Sequence, residues 1–175
     1  MTVLDELLSA NARYAAGFKK GDLAMPPARK TAIVVCMDAR IDPARALGLE
    51  EGDAHVIRNA GGRVVEALRS LAISQELLGT REVAIIHHTD CGMLTFTDDE
   101  IRRRLRSRLG ADTDSVAFLP FGDVEESVRA DLAIYRDAKL VLQDIPVRGF
   151  VYDVGSGRLS EVAANASKRQ EALAR

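Results

Sequence analysis

Short β-branched apolar runs alternate along this chain with segments of helical period, and no other feature restricts the fold as strongly. Ala32-Ile33-Val34-Val35-Cys36-Met37 and Glu82-Val83-Ala84-Ile85-Ile86-His87-His88 read as buried strands, with Ala54-His55-Val56-Ile57-Arg58 as a weaker one. Between them, Pro43 to Leu49 reads as a loop or short helix. Val64 to Leu78 has helical spacing through Leu68, Leu71, Ala72, Gln75 and Leu78, with Gly79 as its stop. Asp98–Leu109 and Asp123–Arg136 are further helices. Arg148–Asp153 is a late strand, and Gly155-Ser156-Gly157 turns it into Leu159–Val162 as a hairpin. Strands separated by helices predict an α/β fold, a mostly parallel sheet covered on both faces.

The ends differ from this core. Val3, Leu4, Leu7, Leu8, Tyr14 and Phe18 lie on one helical stripe, which a linker containing Gly21, Pro26 and Pro27 tethers to the rest. Such a stripe needs a surface to cover, and a partner subunit is the natural one. The expected organisation is therefore a helical arm and linker (1–30), an α/β core (31–162) and a polar tail (163–175). The length fits one ordinary domain.

A formal net charge of -2 gives no support for a nucleic-acid or anionic-membrane partner. The run Arg102-Arg103-Arg104 reads as a solvated helix face. With no apolar run of about 18 residues and no charged-then-apolar leader, the expected location is the cytoplasm. There the two cysteines are better read as metal ligands or buried spectators than as a disulfide.

Two segments carry the chemistry: Cys36-Met37-Asp38-Ala39-Arg40 and His88-Thr89-Asp90-Cys91-Gly92. Each begins where an apolar strand ends, and open parallel sheets gather binding sites beyond those carboxyl ends. Cys36, His88 and Cys91 form a Cys2His set suited to Zn2+, and three protein ligands leave one position open, as catalytic sites do. Asp38 and Arg40, two apart in an extended stretch, point the same way and form an ion pair. His87 and His88 face opposite sides of their strand, so His87 reads as a packed residue and His55 as structural. Asp90 is a hydrogen-bond acceptor or helix cap. The Asn59-Ala60-Gly61-Gly62 turn lacks the spacing of a dinucleotide site.

The two segments together resemble the signature of the β-class carbonic anhydrases, C-x-D-x-R followed by H-x-x-C, with Cys36 and Cys91 here 55 positions apart. The N-terminal helix, the Arg58-Asn59-Ala60-Gly61 turn and the Arg148–Asp153 strand also sit where that family has equivalents. The resemblance implies four parallel strands with a fifth at the edge, and a homodimer or higher homo-oligomer with the first helix laid over the partner. It implies zinc-dependent reversible hydration of carbon dioxide to bicarbonate and a proton, by attack of zinc-bound hydroxide. Asp38, held by Arg40, orients that hydroxide; released, Asp38 becomes a fourth zinc ligand in a closed state. The chain departs from some members in having no Trp, so a Trp-containing second bicarbonate site is excluded, and in placing Met93 where many have a second glycine. The alternatives are a carbonyl sulfide or carbon disulfide hydrolase on the same scaffold, and a non-catalytic zinc or thiol regulatory module.

Overall fold

The computed structural model describes residues 2–163. The polar tail expected over 163–175 thus lies, apart from Ala163, outside the described residues. The elements are α1 (Val3–Ala16), β1 (Thr31–Cys36), α2 (Pro43–Leu47), β2 (Ala54–Asn59), α3 (Val64–Glu76), β3 (Glu82–His88), α4 (Asp98–Leu109), α5 (Val124–Asp137), β4 (Val147–Tyr152) and β5 (Leu159–Val162). Short 3-10 turns occupy Ala60–Gly62 and Gly92–Leu94.

The helix starts are set by local chemistry. Thr2 with Asp5, and Thr97 with Glu100, form reciprocal capping boxes that satisfy the first free N–H groups of α1 and α4. Asp42 caps α2 directly before Pro43, whose missing N–H is no loss at a first helical position. Asp123 caps α5 through the Glu126 N–H at 2.8 Å. Helix α3 ends at Glu76, two residues before the end that its spacing suggested. The Thr80 N–H turns back onto the Ser74 carbonyl there, and Gly79 takes the left-handed conformation (φ +74°) that reverses the chain.

The sheet runs β2-β1-β3-β4-β5, with β5 antiparallel to β4 at the edge and every other pairing parallel. The chain leaves β1 in one direction, to β2, and leaves β3 in the other, to β4, so a topological switch point lies between the carboxyl ends of β1 and β3. Those ends are Cys36 and His88.

Alternation along the strands divides the core in two. Ala32, Val34, Val83 and Ile85 face Val64, Ala67 and Leu71 of α3 and Val128, Leu132 and Tyr135 of α5. Ile33, Val35 and Ile86 face the other way, toward Ile41, Met93 and Cys91. Burying one leucine such as Leu71 in the first layer contributes about 1.5–3 kcal/mol. That layer is closest at Gly149, where an added Cβ would stand 2.4 Å from Val128 Cγ1 and 2.9 Å from Leu132 Cδ1. Gly149→Ala should therefore lower the unfolding free energy by about 1–3 kcal/mol through overpacking. Urea denaturation checks this, and an unchanged midpoint would mean that α5 moves away freely.

Candidate active site

Three donors that are distant in sequence meet at the switch point. Cys36 arrives as the last residue of β1, and its place is fixed by pairing with Asn59 and by the Met37 N–H donating to the Asn59 carbonyl at 2.9 Å. His88 ends β3, paired with Tyr152. Cys91 returns from the next turn, which is sharp enough to put Asp90 at φ +52°. One donor atom from each residue lies within 4.8 Å of the other two, and all three residues are buried.

The donor chemistry fits zinc. The two sulfurs are 4.0 Å apart, close to the roughly 3.8 Å spanned by two 2.3 Å zinc–sulfur bonds at a tetrahedral angle. His88 Nδ1 donates to the Thr89 carbonyl at 2.9 Å, which selects the tautomer with a free lone pair on Nε2. Nε2 is buried and makes no hydrogen bond among the described residues. A buried imidazole nitrogen left without a partner is costly unless a cation takes its lone pair. The sulfurs have the same need: alone, they share a proton. The hydrogen bond between the sulfurs pulls one thiol pKa down and pushes the other up, so the pair holds one proton between them. Only a shared cation lets both stand as thiolates at this separation.

Asp38 and Arg40 pair beside the triad. The Arg40 backbone N–H and Nε donate to Asp38 Oδ1 at 2.8 and 3.0 Å, and Nη2 donates to Oδ2 at 2.8 Å. Arg40 thereby holds the Asp38 carboxyl well below the usual carboxylate range. Asp38 Oδ2 stands 3.8 Å from His88 Nε2. Arg40 also donates Nη1 to Asp90 Oδ2 at 2.6 Å and Nη2 to the Asp90 carbonyl at 2.8 Å, so Asp90 accepts hydrogen bonds and ties the two segments together.

His87 sits on the opposite face of the sheet, fully buried, between Ser127 Oγ (2.6 Å) and Asp131 Oδ2 (3.2 Å). His55 Nδ1 meets Ser74 Oγ at 2.7 Å, away from the triad. Two arginines had no signal in the sequence beyond lying beside a glycine turn. Arg58 donates to the carbonyls of Cys36 (3.1 Å) and Asp38 (2.7 Å). Arg63 forms a buried pair with Asp131 at 2.9 Å. Neither partner is near in sequence, so nothing local announces these bonds. A cavity of about 530 Å³ lined by Leu94, Phe96, Pro120 and Phe121 lies one turn beyond Cys91 and includes none of the three donors.

The comparisons with known proteins agree with this chemistry. The carbonic anhydrase family profile matches residues 31–115. The chain is 52% identical to β-carbonic anhydrase 1 of Mycobacterium tuberculosis over 93% of this chain and 99% of that protein. The crystal structure of a carbonic anhydrase from Streptococcus mutans superposes with a TM-score of 0.89 at 46% identity, covering 93% of this chain and 99% of that one. A carbonic anhydrase from Glaciozyma antarctica gives a TM-score of 0.83 at 50% identity, covering 89% and 95%. A carbon disulfide hydrolase from Acidithiobacillus thiooxidans is more distant, 32% identical over 78% of this chain and 74% of that protein.

The Asp131 carboxyl offers a test of the surrounding electrostatics. Burial raises its pKa, but hydrogen bonds from His87, Arg63 and the Val64 N–H outweigh burial and lower it overall. A folded-state pKa below the unfolded value of about 3.9 means that the stabilisation is complete above that pH and is lost as pH falls through the folded value. Asp131→Ala should cost about 3–5 kcal/mol at neutral pH by stranding Arg63. The gap to wild type should narrow below about pH 3.9. Denaturant titrations at both pH values check this, and a gap of constant width would refute it.

Proposed function

The chain belongs to the β-class carbonic anhydrases, and from that membership we infer that Cys36, His88 and Cys91 hold the zinc of a site for the reversible hydration of carbon dioxide to bicarbonate and a proton. The observation that carries the assignment is the buried, unpartnered Nε2 of His88 beside two sulfurs 4.0 Å apart. Zinc, when bound, acts as a Lewis acid that makes hydroxide available near neutral pH.

The protein's own groups do the orienting. Arg40 takes both oxygens of Asp38, and Oδ2 keeps a second lone pair on the side of His88. Asp38 Oδ2 accepts a hydrogen bond from the attacking hydroxyl, which turns a lone pair of that hydroxyl toward the carbon of CO2. Asp90 holds Arg40 from the other side and so keeps Asp38 where it is needed. Released from Arg40, the Asp38 carboxylate would be free to serve as a fourth ligand to zinc, which would close the site. The relatives named as carbon disulfide hydrolases are more distant than the 52% identical carbonic anhydrase, which favours CO2 as substrate.

The arm and the thiols support a reading of assembly and location. No residue of α1 is buried, and Leu4 and Leu8 are each 70% exposed. The arm touches the core through polar contacts, Tyr14 Oη to Glu51 (2.9 Å) and Lys20 to Glu50 and Glu51. An apolar helix face held out by such contacts supports a homodimer in which α1 lies on the partner. Among the described residues no helix is long and apolar enough to cross a membrane. Two cysteines side by side and unbridged fit a reducing, cytoplasmic setting.

Stopped-flow CO2 hydration on metal-analysed protein tests the function, with carbon disulfide as the side-by-side substrate. One zinc per chain and hydration of CO2 are expected, and zinc content without hydration would refute the assignment. Two thiolates with a neutral imidazole cancel the charge of the metal, so activity should rise into mildly alkaline pH, and a flat profile would count against this ligand set. Arg40→Ala should stay zinc-loaded yet lose about 10–100-fold in turnover; wild-type turnover would remove Arg40 from the mechanism. Replacing Leu4 and Leu8 by Glu should shift sedimentation toward the monomer.

A further inference from the structure

We propose that Arg63 is a positioning residue for the metal centre, holding the Asn59–Gly62 turn against Cys36 through its buried pair with Asp131. The proposal rests on the reading that Cys36, His88 and Cys91 hold zinc.

The guanidinium is anchored on three sides. Nε and Nη2 donate to both oxygens of Asp131 at 2.9–3.2 Å. Nη1 donates to the carbonyl of Leu119, itself at φ +60°, at 2.7 Å. The arginine lies over the Phe121 ring, 5.8 Å from its centroid, and His87 stacks on the same ring at 5.6 Å. Asp131 is completely buried and the Arg63 side chain nearly so.

The backbone of Arg63 is tied as tightly. Its N–H donates to Asn59 Oδ1 at 2.6 Å, and its carbonyl accepts from Asn59 Nδ2 at 2.9 Å. These bonds close residues 59–63 into a ring. Inside it Gly61 and Gly62 both take left-handed conformations, φ +79° and +71°. The ring is pressed against the metal side of the sheet: a Cβ on Gly62 would stand 2.9 Å from the Cys36 nitrogen and from the Ile86 carbonyl. The Met37 N–H, next to Cys36, donates to the carbonyl of Asn59, the first residue of the ring, at 2.9 Å. On the other flank, the Phe121 N–H donates to the carbonyl of Met93, two residues after Cys91, at 3.2 Å. One arginine thus connects to the backbone beside both cysteines, while touching neither.

A buried ion pair is a poor choice for stability alone, since apolar residues of like volume fill such a space as well or better. What apolar residues lack is direction. The fork of the guanidinium fixes the turn, and the turn fixes the backbone that carries Cys36. Such outer contacts set how much charge a ligand gives its metal, and losing one typically costs about 10–100-fold in metal affinity.

The test compares the full chain with Arg63→Met, Arg63→Lys and the charge-free pair Arg63→Met with Asp131→Asn. Leu132→Ala, in the apolar core, serves as a control that only destabilises. Zinc loss to a chelator is followed at matched folded fraction, along with the thiolate-to-metal absorption of the cobalt-substituted protein. Arg63→Met and the paired variant should lose zinc about 10–100-fold faster and shift the cobalt band, with Arg63→Lys in between. Leu132→Ala should lower the melting temperature and leave both readouts unchanged. Should Arg63→Met not fold, Arg63→Lys and the pair carry the comparison. Arg63 variants that match Leu132→Ala in zinc retention and cobalt spectrum would overturn the proposal. Wild-type protein that takes up no zinc would overturn the functional reading itself, and because it is read on the wild type the two failures are distinct.

Discussion

Two sulfur atoms 4.0 Å apart in the interior set the terms for everything around them. As thiolates they repel, and as thiol and thiolate they share a proton. The arrangement is stable as a pair of anions only with a cation between them, and beside them His88 Nε2 is buried with no hydrogen bond among the described residues. Around these atoms the fold supplies directional bonds rather than bulk: Thr89 fixes the histidine tautomer, and Arg58 holds the carbonyls of Cys36 and Asp38.

The parallel sheet makes that convergence affordable. Because β1 and β3 are neighbours whose outgoing connections diverge, to β2 and to β4, their carboxyl ends open onto a crevice. Strand alternation then sorts adjacent histidines. His88 goes to the metal side, whereas His87 goes to the layer under α3 and α5 and binds Ser127 and Asp131. A shift of register by one residue would exchange them and destroy both environments.

Charge is distributed in two tiers. At the mouth, Arg40 is shared between Asp38 and Asp90, in contact with water, where an ion pair contributes orientation more than stability. Behind the sheet, Arg63 and Asp131 are sealed from water, where each is costly without the other. The first tier stands open to water at the mouth, the second is closed off behind the sheet.

Much of this was legible in the chain itself. Cys36, Asp38, Arg40, His88 and Cys91 stand in two short segments at the ends of apolar runs, and strand ends and side-chain alternation are local properties. The separate facing of His87 and His88, the parallel order and the exposed stripe of α1 follow from periodicity, which a sequence carries residue by residue. Only the tertiary structure brought Arg63 to Asp131, Arg40 to Asp90 and Arg58 to the carbonyls of Cys36 and Asp38. An arginine carries its donors at the end of a long, flexible stem, so its spacing in sequence says nothing of what it reaches. Its partner is decided by which elements pack together, and that is a property of the folded sheet and its helices.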